Sequence, residues 1–236
     1  MTENLNSLQI PDDGPREFWK QSKNLSCSSS SARVDVVFRD LRTELLKRIY
    51  ASEFVVGCVA WLTDFTILEA LAAVPKGVSI VVQKEDFLRP DLGAQGSWQT
   101  RLRELYSKLP MLPERHGLGG LVSELSYACD PTLQSVRCVG NHNTEKKPAS
   151  PRMHNKYLVF GRLNDSQWPP EITPETVWTG SFNFTRNASM SFENAVIIQD
   201  MSIAAAYYGE WAQILALSEE LNWTVNWCAP EWRIGS

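Results

Sequence analysis

The sequence predicts an α/β fold: a mixed, largely parallel sheet flanked by helices on both faces. Three observations carry that expectation. Between residues 34 and 82, short apolar runs alternate with stretches of helical periodicity, the pattern of strand and helix units laid down in turn. Three later runs, at 157–160, 176–179 and 195–198, have strand character and precede one long apolar-striped helix. With 236 residues, 43% of them apolar, the chain has material for one substantial core.

Taken in order, residues 34–38 (Val-Asp-Val-Val-Phe) form the first expected strand. A helix follows over 40–51, because Leu41, Leu45, Leu46 and Ile49 recur at helical spacing. Residues 54–61 are apolar throughout, as in a strand buried on both faces. Asp64 is placed to cap a helix that runs through Leu71 and Ala72 and stops near Pro75 and Gly77. Further strands are expected at 78–82 and 135–139, and helices at 97–108 and 201–218. The last helix carries Tyr207, Trp211 and Leu215 along one stripe, as core residues do.

The first 32 residues differ in composition. Pro11-Asp-Asp-Gly-Pro15 and the serine-rich run 26–31 predict a flexible arm or partner-docking segment, followed by a single domain over 33–236. No basic segment with an apolar stretch opens the chain, and no apolar run reaches membrane-spanning length. The expectation is a cytoplasmic protein without membrane association. Five cysteines, at 27, 58, 129, 138 and 228, form no close pair, which fits a reducing compartment and neither a disulfide framework nor a zinc site. No metal site and no cofactor are expected, since His116 and His142 lack clustered ligands.

Chemistry concentrates later. His154-Asn-Lys156 precedes one strand run, Gly180-Ser181-Phe-Asn183 follows another, and Glu193 precedes a third. Side chains two apart on a strand share a face, so His154 should align with Lys156 and Ser181 with Asn183. An imidazole can attack phosphorus when neutral or protonate a leaving oxygen when charged. Lysine brings positive charge to phosphate oxygens, the amide and hydroxyl add hydrogen-bond donors, and a carboxylate can orient the imidazole. His154, Lys156, Ser181, Asn183 and Glu193 are therefore the candidate catalytic set. Taken singly, Gly-Ser-Phe-Asn reads as a turn and Glu193 as a solvated charge.

The ordered pattern Met-His154-Asn-Lys156-Tyr-Leu-Val-Phe, then Thr-Gly180-Ser181-Phe-Asn183-Phe-Thr, then Glu193-Asn194, resembles the catalytic half-site of the phospholipase D superfamily, particularly its single-motif endonuclease branch. The resemblance is best over 152–199, and similar element order extends back to about residue 34. It implies a phospholipase D-like half-domain in which one histidine attacks phosphorus and a second protonates the leaving group and then activates water. One copy of the motif set is present here. The resemblance therefore implies a homodimer with the two-fold axis through the site, an arrangement also common on general grounds.

The family's signature continues with an aspartate five residues after the lysine. Here that position is Gly161, and Asp165 is the nearest acid. Residues 162–175 contain Pro169, Pro170 and Pro174 and read as a loop inserted between two strands.

Charge bears on the substrate. The formal net charge is -4, so the molecule as a whole does not attract a polyanion. Locally, Lys146, Lys147, Arg152, Lys156 and Arg162 are offset by Glu145 alone. Lys146, Lys147, Arg152 and Arg162 are accordingly the candidate substrate-binding residues, with a basic surface loop as the bland reading. The expected function is a metal-independent phosphodiesterase, a nuclease with DNA preferred over RNA, served where needed by a protein that recruits it to substrate. Two other readings stand beside it: a phospholipid hydrolase, and an inactive binding module that keeps the fold.

Overall fold

The computed structural model describes residues 5–7, 24–89, 96–112, 134–147, 150–166 and 170–229. Seven strands form one sheet: β1 (Arg33–Val37), β2 (Phe54–Val59), β3 (Val78–Gln83), β4 (Val136–Val139), β5 (Lys156–Asn164), β6 (Glu171–Gly180) and β7 (Ala195–Gln199). Their spatial order is β1-β7-β6-β5-β2-β3-β4. Among the described residues four α-helices accompany them: α1 (Leu41–Tyr50), α2 (Phe65–Leu71), α3 (Ser97–Tyr106) and α4 (Met201–Ala216).

The sheet is mixed, as expected, but its parallel part is smaller than the sequence suggests. Only β2-β3 and β3-β4 pair in parallel, while β1-β7, β7-β6, β6-β5 and β5-β2 are antiparallel. The reason lies in the connections. Parallel neighbours need a crossover; α2 lies between β2 and β3 and α3 between β3 and β4, whereas β5 turns directly back into β6.

Alternation along the central strands explains why both faces carry helices. Val55 and Val59 of β2 belong to one apolar cluster, with Leu45 and Ile49 of α1, Leu68 of α2, and Leu102 and Leu105 of α3. Phe54, Val56 and Cys58 belong to the other, with Trp211, Ala212 and Leu215 of α4. Strands buried on both sides have no polar face to show, hence the unbroken apolar runs. Asp64 caps α2 as expected, its carboxylate accepting from the backbone N–H groups of Thr66 at 2.9 Å and Ile67 at 3.3 Å.

The expected loop over 162–175 is mostly strand. β5 extends to Asn164 and β6 begins at Glu171, so the two form a long hairpin. Pro174 is accommodated because it faces Gly161 across a register irregularity between Phe160 and Gly161, and because β7 pairs only with the 176–180 part of β6. Proline is tolerated at bulges and free strand edges, where no ladder N–H is lost. Pro169 lies outside the described residues, as do Cys129 and His116. Cys27 is exposed, whereas Cys58, Cys138 and Cys228 are buried.

Residues 24–31 lie against α4. Ser29 and Ser31 donate to the Asp200 carboxylate at 2.6 and 3.1 Å, the same carboxylate whose other oxygen caps α4 at Ser202 and Ile203. Beyond α4, residues 217–229 run back along the edge strand β4, where Glu219 bridges Cys138, and hold a fully buried lysine, Lys84. Its ammonium pairs with Glu219, donates to the carbonyls of Val225 at 2.9 Å and Trp227 at 2.6 Å, and faces the Trp223 ring at 5.3 Å. No helix among the described residues is long and apolar enough to cross a membrane.

Candidate active site

Sheet polarity gathers the motif residues. Lys156, the first residue of β5, is paired with Val59, the last of β2. Tyr157 is paired with Thr179 near the end of β6, and Gly180 with Ala195 at the start of β7. His154, Ser181, Asn183 and Glu193 therefore lie just off one edge of the sheet, the edge where parallel strands β2, β3 and β4 also end. Open α/β sheets bind ligands at that edge.

Backbone bonds stitch the converging loops. Ala60 N–H donates to the Asn155 carbonyl at 2.8 Å, Phe184 N–H to Trp61 O at 3.1 Å, and Thr63 N–H to Phe184 O at 2.8 Å. The Trp61 ring then meets the His154 imidazole edge-on, with centroids 5.8 Å apart.

His154 itself sits two residues before β5 rather than on it, and its side chain is exposed while Lys156 is buried at 9% exposure. The two do not share a strand face as expected. Instead the Lys156 ammonium turns back and donates to the His154 carbonyl at 2.9 Å. Burial first, then the positive charges of Lys156 and Arg152, hold the imidazole below its ordinary pKa. Burial likewise lowers the Lys156 pKa, opposed by the Glu193 carboxylate nearby.

Glu193 does not orient His154 within one chain. Its carboxylate accepts a short hydrogen bond from the Ser181 hydroxyl, which in turn accepts from the Asn194 N–H at 3.1 Å. The physical reason is the pairing of Gly180 with Ala195, which sets the residues on either side of that pair against each other. Among the described residues the imidazole nitrogens have no hydrogen-bond partner. Asn183 contributes a buried amide oxygen that also lacks one, a condition that folded proteins rarely leave unexplained.

The four candidate substrate-binding cations divide. Arg152 is beside His154 and acts on it electrically. Lys147 is paired with Glu145, and Lys146 stands on the same turn in left-handed backbone, φ 52°. Arg162 is far away: six residues along β5 from Lys156 is about 20 Å at strand rise, and its guanidinium is engaged by Glu175 at 2.7 Å. The local excess of positive charge read over 145–162 is therefore spread along the extended strand, with Arg162 away from His154.

Nor does Asp165 supply the missing acid. It stands beyond the far end of β5 and pairs with Lys76 at 2.5 Å. Gly161 could not be exchanged for aspartate without movement, since a Cβ there would lie 2.1 Å from the Thr173 carbonyl oxygen.

A residue that sequence reasoning missed is Gln83, at the end of β3. Its buried amide oxygen accepts from Met153 N–H at 2.8 Å, while its amide nitrogen donates to Asn141 O at 2.8 Å and Lys84 O at 3.1 Å. It thus ties the segment leading into His154 to the sheet. Gly140, at φ +100°, leaves it room: a Cβ there would lie 2.5 Å from the Gln83 amide oxygen. The visible signal was an amide side chain closing a largely apolar strand run. Among the described residues no group of three or more His, Cys, Asp and Glu is placed to hold a metal ion.

A neutral imidazole, a buried lysine, an arginine and an amide around one sheet edge are the parts of a site for an anionic ester. The class is that of an α/β protein with a histidine-centred edge site. The chain belongs to the phospholipase D superfamily: residues 45–215 match the family model described as "Cardiolipin synthase, PLD-like domain". Members of that superfamily are phosphodiesterases, with nucleases among them. The chain is 28% identical over 219 residues to an uncharacterized protein, L381, of Acanthamoeba polyphaga mimivirus, covering 86% of this chain and 72% of that protein. Among solved structures it is similar to NucT from Helicobacter pylori, at 14% identity and a TM-score of 0.52, over 80% of this chain and 98% of that one. It also matches Nuc from Salmonella typhimurium, a phospholipase D family member, at 19% identity and a TM-score of 0.47, over 80% and 97% of the two chains.

Proposed function

We propose that this protein is a metal-independent nuclease that cleaves phosphodiesters through a phosphohistidine, in a site shared by two copies of the chain. The observation that carries the reading is the state of His154: accessible, depressed in pKa, flanked by Lys156 and Arg152, and without a hydrogen-bond partner among the described residues. A depressed pKa keeps the imidazole neutral near pH 7, as a nucleophile requires.

In the first step a neutral His154 nitrogen attacks phosphorus, forming a P–N bond as the P–O bond to the leaving group breaks. The departing oxygen takes a proton from a second imidazolium. Water then attacks phosphorus, its proton passing to that second imidazole, and the P–N bond breaks to restore His154. One chain has one such histidine, so the second comes from another copy. Lys156 and Asn183 hold the non-bridging oxygens, Arg152 adds charge at the rim, and Ser181 positions Glu193 beside Lys156.

DNA is the proposed substrate ahead of RNA, and a recruiting partner offsets the negative net charge. Lipid hydrolysis is the second reading, since a phospholipid headgroup is also held by a phosphodiester and the matching family is named for an enzyme of lipid phosphodiesters. The test is cleavage of labelled single-stranded DNA, duplex DNA and RNA in excess EDTA. Wild type should cut and His154→Ala should lose at least about a thousandfold in kcat, the scale of losing a covalent catalyst. Wild-type activity in His154→Ala would sink the assignment.

A further inference from the structure

We propose that the cleft flanked by Trp61 and Trp98 is a nucleobase subsite, which takes the unpaired base of a nucleotide next to the scissile phosphate. The inference rests on the nuclease reading above and adds the form of the substrate: a strand whose bases are free to stack.

The cleft encloses about 670 Å³ and is lined by Trp61, Thr63, Trp98, Asn183, Arg186 and Glu193, among others. It is continuous with the candidate site, since Asn183 and Glu193 belong to both and Trp61 touches the His154 ring. Both indoles are held from behind. Trp61 donates its ring N–H to Glu85 at 2.9 Å. Trp98, in the first turn of α3, leans on Phe87 with centroids 5.7 Å apart and an interplanar angle of 46°. Trp98 nevertheless remains 45% exposed, whereas Trp178, Trp211 and Trp223 are buried.

The chemistry of the lining selects the occupant. Indole faces bind any base by stacking, and the hydroxyls and amides of Thr63, Thr185, Asn183 and Asn187 offer donors and acceptors for a base edge. Arg186 and Glu193 leave the lining near neutral, which suits an uncharged base and not a further phosphate. An acyl chain would leave the polar groups of that lining, Thr63, Asn183, Arg186 and Glu193, facing methylenes that offer no hydrogen bond. A base inside a duplex is stacked on its neighbours and cannot present its face, so the strand must be single or locally opened.

The experiment uses the His154→Ala protein, which does not consume the probe, and two fluorescent 12-residue strands: oligothymidylate and an abasic strand of the same length. Anisotropy should show base-bearing strand bound about 5- to 100-fold more tightly, the range of one stacking contact. Adding Trp98→Ala should erase that preference, and Trp98→Phe should keep most of it. Equal loss on both strands, no loss on either, or an altered mass by light scattering would overturn the subsite. Wild-type cleavage of the two strands is measured in parallel. A Trp98-dependent base preference without any cleavage would keep the subsite and remove the nuclease reading; cleavage without that preference would do the reverse.

Discussion

At the scale of single residues, electrostatics around His154 gives a pH signature. Its folded pKa lies below the ordinary 6.5 because burial, Lys156 and Arg152 all disfavour the imidazolium. Activity that needs one neutral and one charged copy of His154 should therefore rise with pH through a midpoint below 6.5 and fall again at higher pH as the second copy, the acid, loses its proton. Removing the Arg152 charge relieves part of the penalty on protonation. In Arg152→Ala the acid limb of kcat/KM should move up toward 6.5; a limb unmoved, or moved down, would place Arg152 outside the reach of the nucleophile. Gly161 carries a second expectation. Restoring the family's aspartate by Gly161→Asp should cost about 1–3 kcal/mol from overpacking, seen as a lower Tm, with no gain in kcat. The candidate site was legible in residue types but not in contacts. His154, Lys156 and Asn183 announced themselves by chemistry that pairs well at short spacing. The partner of Glu193, the anchoring by Gln83 and the remoteness of Arg162 depend on which strands lie side by side, and no local spacing encodes that.

Elements were legible where one pattern dominated. The apolar stripes of α1 and α4 and the Asp64 cap of α2 gave their positions to within a few residues, because helical period and N-cap chemistry are local. The β5-β6 hairpin was misread because prolines were weighed as loop formers, when a bulge and a free strand edge remove the penalty they normally carry. Asp64 offers the cleanest test at this scale. Besides capping α2 it accepts from Arg42 of α1 at 3.3 Å, so it joins two helices that cover one face. Asp64→Ala should destabilise by about 1 kcal/mol, lowering Tm by roughly 2–4 °C. An unchanged Tm would show the cap to be replaceable by water.

At the scale of the whole molecule, the alternation of strand and helix was read correctly as α/β, while the balance of parallel and antiparallel pairing was not. Strand direction depends on the route of the chain between strands, and one pair of the long antiparallel run β1-β7-β6-β5-β2 is a hairpin that looked like a loop. Assembly belongs here too. Phe192 is 94% exposed and Met190 72% exposed, on the segment that ends in Glu193. If two copies share a site, mixing excess His154→Ala chains with wild type should depress activity well below the wild-type fraction, read as initial rate against mixing ratio. Activity proportional to that fraction would mean independent sites.

The buried ammonium of Lys84 has a consequence for covalent labelling. An amine-acylating reagent in water reaches Lys146 on its exposed turn at once, but it can meet Lys84 only after residues 217–229 peel away. The acylation rate of this one lysine therefore clocks the opening of that strap, separately from the unfolding of the sheet beside it.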